Sequence, residues 1–417
     1  MNKTICPYPF RHTHVDSRGL RQLCCWSDAQ DEHQVEDYWN DDYIKSVRLK
    51  MQNGEQIKEC HRCYFQESMG SNSLRTDELE KYDPAEFTKD CAEDGSMPTG
   101  PTWFDYRNRV CNLQCISCGP WLSSTHVILH KKMYGKDYDV PTIDKKTEIE
   151  LADQIIESID KRECDRLYWA GGEPMMSNIH WKVMEHLMKV REVDPEYVDS
   201  ILVEYNSNMT HSKWKGDSIA GMFTPMQPTM RASIDGVEDV FEFLRDGAKW
   251  DEVNANIHEY VDAWNVNRQF TIDTVLSAPV LFSFEKYLDY FDQFDVLLRN
   301  HRLMDFSGNI DTFKNKSMGF IDIRLYPKHI VERVVNHCVH LINEYNPRGK
   351  ERTIEILNSY YYDRQQRDDF FSNQDTLGQI RDMTRKFREP HNLSGLTIDD
   401  ILKKYDTESY DWYRSFN

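Results

Sequence analysis

The stretch VCNLQCISCGP, residues 110–120, carries Cys111, Cys115 and Cys118 with three and then two residues between them. Three thiols are an odd number for disulfides and one short of the four ligands of a structural zinc site. Upstream lies TWFDYRNR, which reads as a strand, so the cysteines fall on the loop that follows it. From residue 102 onward, candidate strands alternate with amphipathic stretches. The strands are TWFDYRNR, RLYWAG, ILVEYNS, TMRASID, FTIDTVLS and FIDIRLY. The intervening stretches include TEIELADQIIESI, NIHWKVMEHLMKV, DEVNANIHEYVDAW and SFEKYLDYFDQFDVLL. Such alternation implies right-handed crossovers and a parallel sheet. Six units predict an α/β fold built on a partial (β/α)6, TIM-like barrel, in which loops after strand C-termini build the site.

Around this barrel the sequence divides further. Residues 1–80 form a first unit: FRHTHVDSRGLRQLCCW reads as a hairpin and VEDYWNDDYIKSVRLKMQNGE as a helix. Residues 81–101 are a linker rich in Pro, Gly and acids. The barrel spans 102–327. Residues 328–417 are predicted helical, from HIVERVVNHCVHLINEY to TIDDILKKY.

The chain has 417 residues, enough for two or three domains, and a formal net charge of −19. That balance offers no global basic footprint for nucleic acid or an anionic membrane. No secretory h-region follows the first lysine and no long apolar run is present, so a cytoplasmic protein is expected. Of eleven cysteines, nine precede residue 120. In a reducing compartment such crowding points to metal binding over disulfides. Three thiolates can hold three irons of a [4Fe–4S] cube and leave the fourth open, whereas four close the cube for electron transfer. The alternatives are a zinc knuckle, for which His126 is the nearest downstream histidine, or three incidental thiols.

The CX3CX2C loop after the first strand of a partial barrel resembles that of the radical SAM enzymes. The resemblance implies that Cys111, Cys115 and Cys118 ligate a [4Fe–4S] cluster. Its open iron would be chelated by the amino and carboxylate groups of S-adenosyl-L-methionine. LYWAGGEPMM ends the second strand, and Gly171, Gly172, Glu173 and Pro174 match the family's GGEP motif, implied to contact the SAM amino group. Glycines let a backbone approach a ligand closely, and a carboxylate accepts from an ammonium. Ser233 in TMRASIDG matches a position that bonds the SAM ribose. Arg245 matches an arginine that pairs with the SAM carboxylate, which a guanidinium can grip bidentately. Asn208, with Asn206, ends the third strand where similar enzymes carry a polar residue. The plain alternatives are a Gly-Gly turn, a helix-capping serine, a solvated arginine and turn asparagines. Ser117 stands where many members have an aromatic beside the adenine, leaving Trp121 or backbone to support that ring.

A second group follows the pattern Cys6, twelve residues, Gly19, four residues, Cys24, and then Cys60 and Cys63 in ECHRCYFQE. It is similar to the twitch (SPASM-like) auxiliary module, here N-terminal to the barrel. The similarity implies that Cys6, Cys24, Cys60 and Cys63 hold one auxiliary [4Fe–4S] cluster. Alternate strand residues face opposite sides, so one of Cys24 and Cys25 points at the site, and Cys24 fits the spacing. Structural zinc suits the same four thiols. Cys91 and Cys164 read as incidental and Cys338 as packed core. The pair His12 and His14 reads as surface or packing residues.

The resemblance implies a metal-binding oxidoreductase- or transferase-type enzyme that cleaves SAM reductively to a 5′-deoxyadenosyl radical. That radical would take a hydrogen atom from a substrate, in the first reading a peptide or protein side chain undergoing modification or maturation. A second reading is a dehydrogenase or rearranging enzyme on a small sugar- or nucleotide-derived substrate. A third is a non-catalytic zinc- or cluster-stapled binding protein. An external one-electron reductant, flavodoxin- or ferredoxin-like, is the implied partner. No catalytic residue is assigned beyond the cluster and SAM.

Overall fold

The computed structural model describes residues 4–28, 38–70, 72–139, 143–264, 269–303, 319–366 and 373–416. The chain forms two compact units, Met1–Val110 with Asp139–Tyr205, and Cys111–Tyr138 with Asn206–Asn417. Its strands are β1 (His12–Val15), β2 (Arg21–Gln22), β3 (Trp103–Asn108), β4 (Arg166–Gly171), β5 (Leu202–Ser207), β6 (Thr229–Ser233), β7 (Phe270–Leu276) and β8 (Leu297–Arg302). A separate two-residue ribbon pairs Lys213–Trp214 with Asp217–Ser218. The fold is α/β, with mostly parallel strands and a helical C-terminal region.

In the first unit the strand order is β5-β4-β3-β1-β2. β3, β4 and β5 run parallel, with Phe104 opposite Leu167 and Leu167 opposite Val203. The helices Lys145–Asp160 and Asn178–Val193 follow β3 and β4 in the chain and carry the periodic apolar residues read from sequence. Ile155, Ile159, Val183, Met184 and Leu187 are buried with Leu167 and Trp169. Asp144 and Ser177 start these helices by accepting the backbone N–H groups of Thr147 and His180.

The N-terminal hairpin forms as read, β1 pairing antiparallel with β2 through His14 and Gln22. Gly19 closes its turn at φ +85°, a conformation that favours glycine. β1 also pairs in parallel with β3, His12 lying opposite Trp103 and His14 opposite Asp105. The helix Asp42–Gln52 buries Ile44, Val47 and Met51 in one cluster with Ile5, Tyr8, Phe10 and Trp103. Arg48 is buried there and spends its guanidinium on the carbonyls of Pro9, Trp39 and Gly95.

In the second unit β6, β7 and β8 are parallel neighbours. Here one expected strand is corrected. FIDIRLY is two 3-10 turns, Gly319–Ile321 and Ile323–Leu325. Its alternation mimics a half-buried strand, yet Asp322 and Arg324 are as buried as Ile321, Ile323 and Leu325 beside them. Asp322 accepts from the backbone N–H of Arg324 at 2.9 Å and from its guanidinium at 2.7 Å. That local pair bends the chain. The sixth barrel strand is Leu297–Arg302, whose first residues the helical period assigns to the end of a helix. The helix stops at Asp292, and no proline or glycine marks the change.

After Pro327 the long helices Lys328–Tyr345, Lys350–Gln366 and Gln374–Met383 follow, then Ile398–Tyr405 and Thr407–Arg414. Cys338 is buried on the first of them, as packed core. Among the described residues no helix is long and apolar enough to cross a membrane.

His180 gives this fold a pH signature. Its Nε2 lies 2.9 Å from the Tyr205 hydroxyl, and burial pulls its imidazole down to about 3 from an ordinary 6.5. Unfolding frees the ring to bind a proton, so its contribution is complete above pH 6.5 and is lost as pH falls toward 3. Urea midpoints measured from pH 7 to pH 4 are expected to fall, and His180→Gln is expected to flatten that slope.

Candidate metal and cofactor site

The three-cysteine loop opens the second unit and is tied down residue by residue. The Cys111 N–H donates to Ser124 Oγ at 3.2 Å. The Cys111 carbonyl accepts the Thr125 hydroxyl at 2.5 Å, and Leu113 O accepts that of Ser123 at 2.9 Å. These hydroxyls lie at the start of the helix Ser124–Tyr134, so the helix entry holds the first cysteine. Two backbone bonds, Gln114 N–H to Asp246 O at 3.0 Å and Ile116 N–H to Leu244 O at 2.9 Å, run the loop alongside residues 244–246. The Cys118 N–H turns back onto Cys115 O at 3.1 Å.

Behind the loop sits Asp246, whose side chain is 0% exposed. Its carboxylate accepts from Gln114 Nε2 at 2.7 Å, Arg388 Nη2 at 3.1 Å, and the backbone N–H groups of Leu393 and Ser394 at 3.1 and 2.8 Å. Arg388 also donates to Gln114 O at 2.6 Å. Charged hydrogen bonds in such dry surroundings are strong, and each is costly to leave unmade.

The sulfur atoms face cations and amides. Arg245 Nη1 lies 4.0 Å from Cys115 Sγ, and Asn208 Nδ2 lies 3.9 Å from Cys111 Sγ and 3.1 Å from Asn112 Oδ1. Thr210 extends this network, accepting from Asn112 Nδ2 at 3.0 Å. Arg245 Nε is 2.8 Å from Asp235 Oδ2, and Asp235 Oδ1 accepts the Val275 N–H at 2.8 Å. Burial works to lower the Arg245 pKa, but Asp235 and the Cys115 sulfur hold it above its ordinary value. Burial pushes the Cys115 thiol up while Arg245 pulls against it. Burial and then Cys115 push Cys118 up to about 12. All three thiols are free.

Within this unit the structure therefore assembles Cys111, Cys115, Cys118, Asn208 and Arg245. Ser233 closes β6 two residues before Asp235. Trp121 packs on the loop itself: a Cβ at Gly119 would meet its indole ring at 3.1 Å. Sequence reading missed Asp235, Asp246, Gln114 and Arg388. Asp235 lay in plain view in SIDG, whereas nothing local connects Arg388 with Gln114, 274 positions away.

In the first unit, GGEP ends β4 as read. A Cβ at Gly171 would lie 2.2 Å from Asn108 O, and one at Gly172 2.2 Å from Val110 O. The glycines let β4 and the end of β3 pass in contact, with Gly172 N–H bonding Asn108 O and Glu173 N–H bonding Val110 O, both at 2.7 Å. Glu173 is buried and caps the turn Pro174–Met176 by accepting the Met175 N–H at 3.2 Å.

The second cysteine group also lies in this unit. Cys6, Cys24 and Cys63 are buried, Cys60 is half-buried and Cys25 is exposed. The Asp28 N–H bonds Glu59 O at 3.0 Å, joining the chain after Cys24 to the turn that carries Cys60 and Cys63. Arg75 donates to Ile5 O at 2.9 Å, just before Cys6. Burial and the neighbouring thiols raise Cys6 and Cys24, and burial with Cys63 pushes Cys60 up to about 12. Among the described residues no three of these sulfurs lie mutually within 4.8 Å.

Asp246→Asn leaves Arg388 buried without its counter-charge. It is expected to cost about 3–5 kcal/mol in chemical denaturation. Gly172→Ala drives a Cβ into backbone and is expected to destabilise the first unit. It should lower the unfolding midpoint more than Gly100→Ala in the same unit, a position with open space around it and no positive φ.

No protein-family model matches the sequence, and no curated protein matches it. Among solved structures the chain is similar to native anSMEcpe with bound AdoMet, at 16% identity and a TM-score of 0.36, covering 57% of this chain and 60% of that one. It is also similar to native anSMEcpe with bound AdoMet and Cp18Cys peptide, at 16% identity and a TM-score of 0.36, covering 56% of this chain and 57% of that one. The chain thus spans about 60% of the length of the first of these.

Proposed function

We propose that the chain is a radical SAM enzyme that binds a [4Fe–4S] cluster at Cys111, Cys115 and Cys118. The observation that carries this is the three-thiol loop. It is free of disulfides, pinned by Asp246 and Arg388, and faced by a guanidinium. When bound, the cluster with SAM supplies a reductively generated carbon radical, chemistry that no side chain provides.

The chain's own residues have separable tasks in this reading. The three cysteines ligate as thiolates, and their loop bonds set the spacing. Arg245 and Asn208 lend positive charge and an N–H dipole to the sulfurs Cys115 and Cys111. Asp235 keeps Arg245 oriented. Gly171 and Gly172 let the end of β4 pass against β3, Glu173 offers its carboxylate to a ligand ammonium, and Ser233 offers a hydroxyl to the ribose. Cys6, Cys24, Cys60 and Cys63 hold an auxiliary [4Fe–4S] cluster. The substrate class we propose is a peptide or protein side chain, with electrons from a flavodoxin- or ferredoxin-like partner in the cytoplasm.

Anaerobic reconstitution tests this. Wild-type protein is expected to bind iron and sulfide and, on reduction, to release 5′-deoxyadenosine from SAM. Replacing Cys111, Cys115 and Cys118 together by Ala should abolish the release while leaving iron at the other four cysteines. Reconstituted wild type that releases none would overturn the enzyme reading.

A further inference from the structure

Between β1 and β3 lies a buried polar cluster to which the proposed chemistry gives no task. His12 and His14 are alternate residues of β1 and share one face. They are not surface residues: His12 is 2% and His14 3% exposed. β3 places Asp105 opposite His14. His14 Nδ1 lies 3.0 Å from Asp105 Oδ2, and His12 Nε2 lies 3.9 Å from the same oxygen. The three donor atoms sit within 4.8 Å of one another.

The tautomer of His12 decides what this cluster wants. Its Nδ1 is 3.3 Å from the Leu23 carbonyl, and a carbonyl can only accept. The ring proton is therefore on Nδ1, and Nε2 presents a lone pair. That Nε2 is fully buried and has no hydrogen-bond partner. A lone pair facing a carboxylate oxygen in a dry site is repulsive unless a cation lies between them. Tyr8 and Trp103 pack edge-on against His12 at 4.7 and 4.5 Å and fix its direction. The outer partners also match those of metal ligands. A ligating histidine typically gives its other N–H to a carbonyl, and a ligating carboxylate is held by a second group. Here Leu23 O takes the first role, and Arg107, whose Nη2 donates to Asp105 Oδ2 at 3.0 Å, holds the carboxylate.

We infer that His12 Nε2, His14 Nδ1 and Asp105 Oδ2 form a binding site for one divalent cation of the zinc type. Two imidazoles and a carboxylate suit zinc over the hard cations that prefer all-oxygen sites. Zn–N and Zn–O bonds of about 2.0–2.2 Å set ligand-to-ligand edges of about 3.4 Å, close to the 3.0 and 3.9 Å observed. Ligation through His14 Nδ1 puts that ring's single proton on Nε2. The ion would fasten the N-terminal hairpin to β3.

Cobalt(II) titration of the chelator-treated full-length chain tests the site. One equivalent is expected to give tetrahedral visible bands without thiolate charge transfer. These bands should vanish in His12→Gln and in Asp105→Asn. Zn²⁺ should raise the wild-type melting temperature and leave that of Asp105→Asn unchanged. Bands that survive both substitutions overturn the site, as does a wild-type chain showing thiolate-bound cobalt only. Should both variants fail to fold, the wild-type spectrum alone decides: thiolate-free bands uphold the site, and their absence refutes it.

Discussion

One buried carboxylate organises the second unit. Asp246 gathers a side-chain amide from the cysteine loop, a guanidinium from the C-terminal region, and two backbone N–H groups that follow it. A full negative charge in a dry interior is tolerable only when its lone pairs are filled, so all four donors must be in place together. The loop of Cys111, Cys115 and Cys118 takes its course from this requirement. So does the C-terminal segment, which closes on the loop through Arg388 and the His391 carbonyl. The helical tail is thus a structural part of the site that a motif search places elsewhere.

The same logic of paired charge runs outward from Asp246. Asp235 is fixed by the Val275 N–H and in turn fixes Arg245, which faces the Cys115 sulfur. A guanidinium held on one side by a carboxylate keeps donors for the other side. It can answer a sulfur or a second anion without reorienting. Arg245 Nε lies 2.8 Å from Asp235 Oδ2, while Nη1 lies 4.0 Å from the Cys115 sulfur. Arginine can divide its donors in this way, whereas lysine, a single point charge, cannot.

Sequence made the short-range features legible, because their signals are local. Spacing placed Cys111, Cys115 and Cys118 on one loop after β3. The 3.6-residue period found the helices after β3 and β4, and DSRG marked the hairpin. Two kinds of feature escaped. FIDIRLY has the period of a strand, but Asp322 and Arg324 satisfy each other locally and curl the chain. Leu297–Arg302 follows a helix with no breaker between, so its apolar start read as helix. The hub residues Asp246 and Arg388 are 142 positions apart, and each alone looks like a solvated charge. Such pairs are visible only once the backbone has folded.

The parallel pairing of β1 with β3 also bears on how this protein can be cut. Strand β3 has β4 on one side and β1 on the other. A chain trimmed to begin at the barrel would bare the edge of β3 along Trp103–Tyr106, where β1 now pairs with it. An unpaired edge of that kind recruits strands from other molecules. The N-terminal segment is thus a donated strand and not a detachable bead, and the solubility of the remainder depends on it.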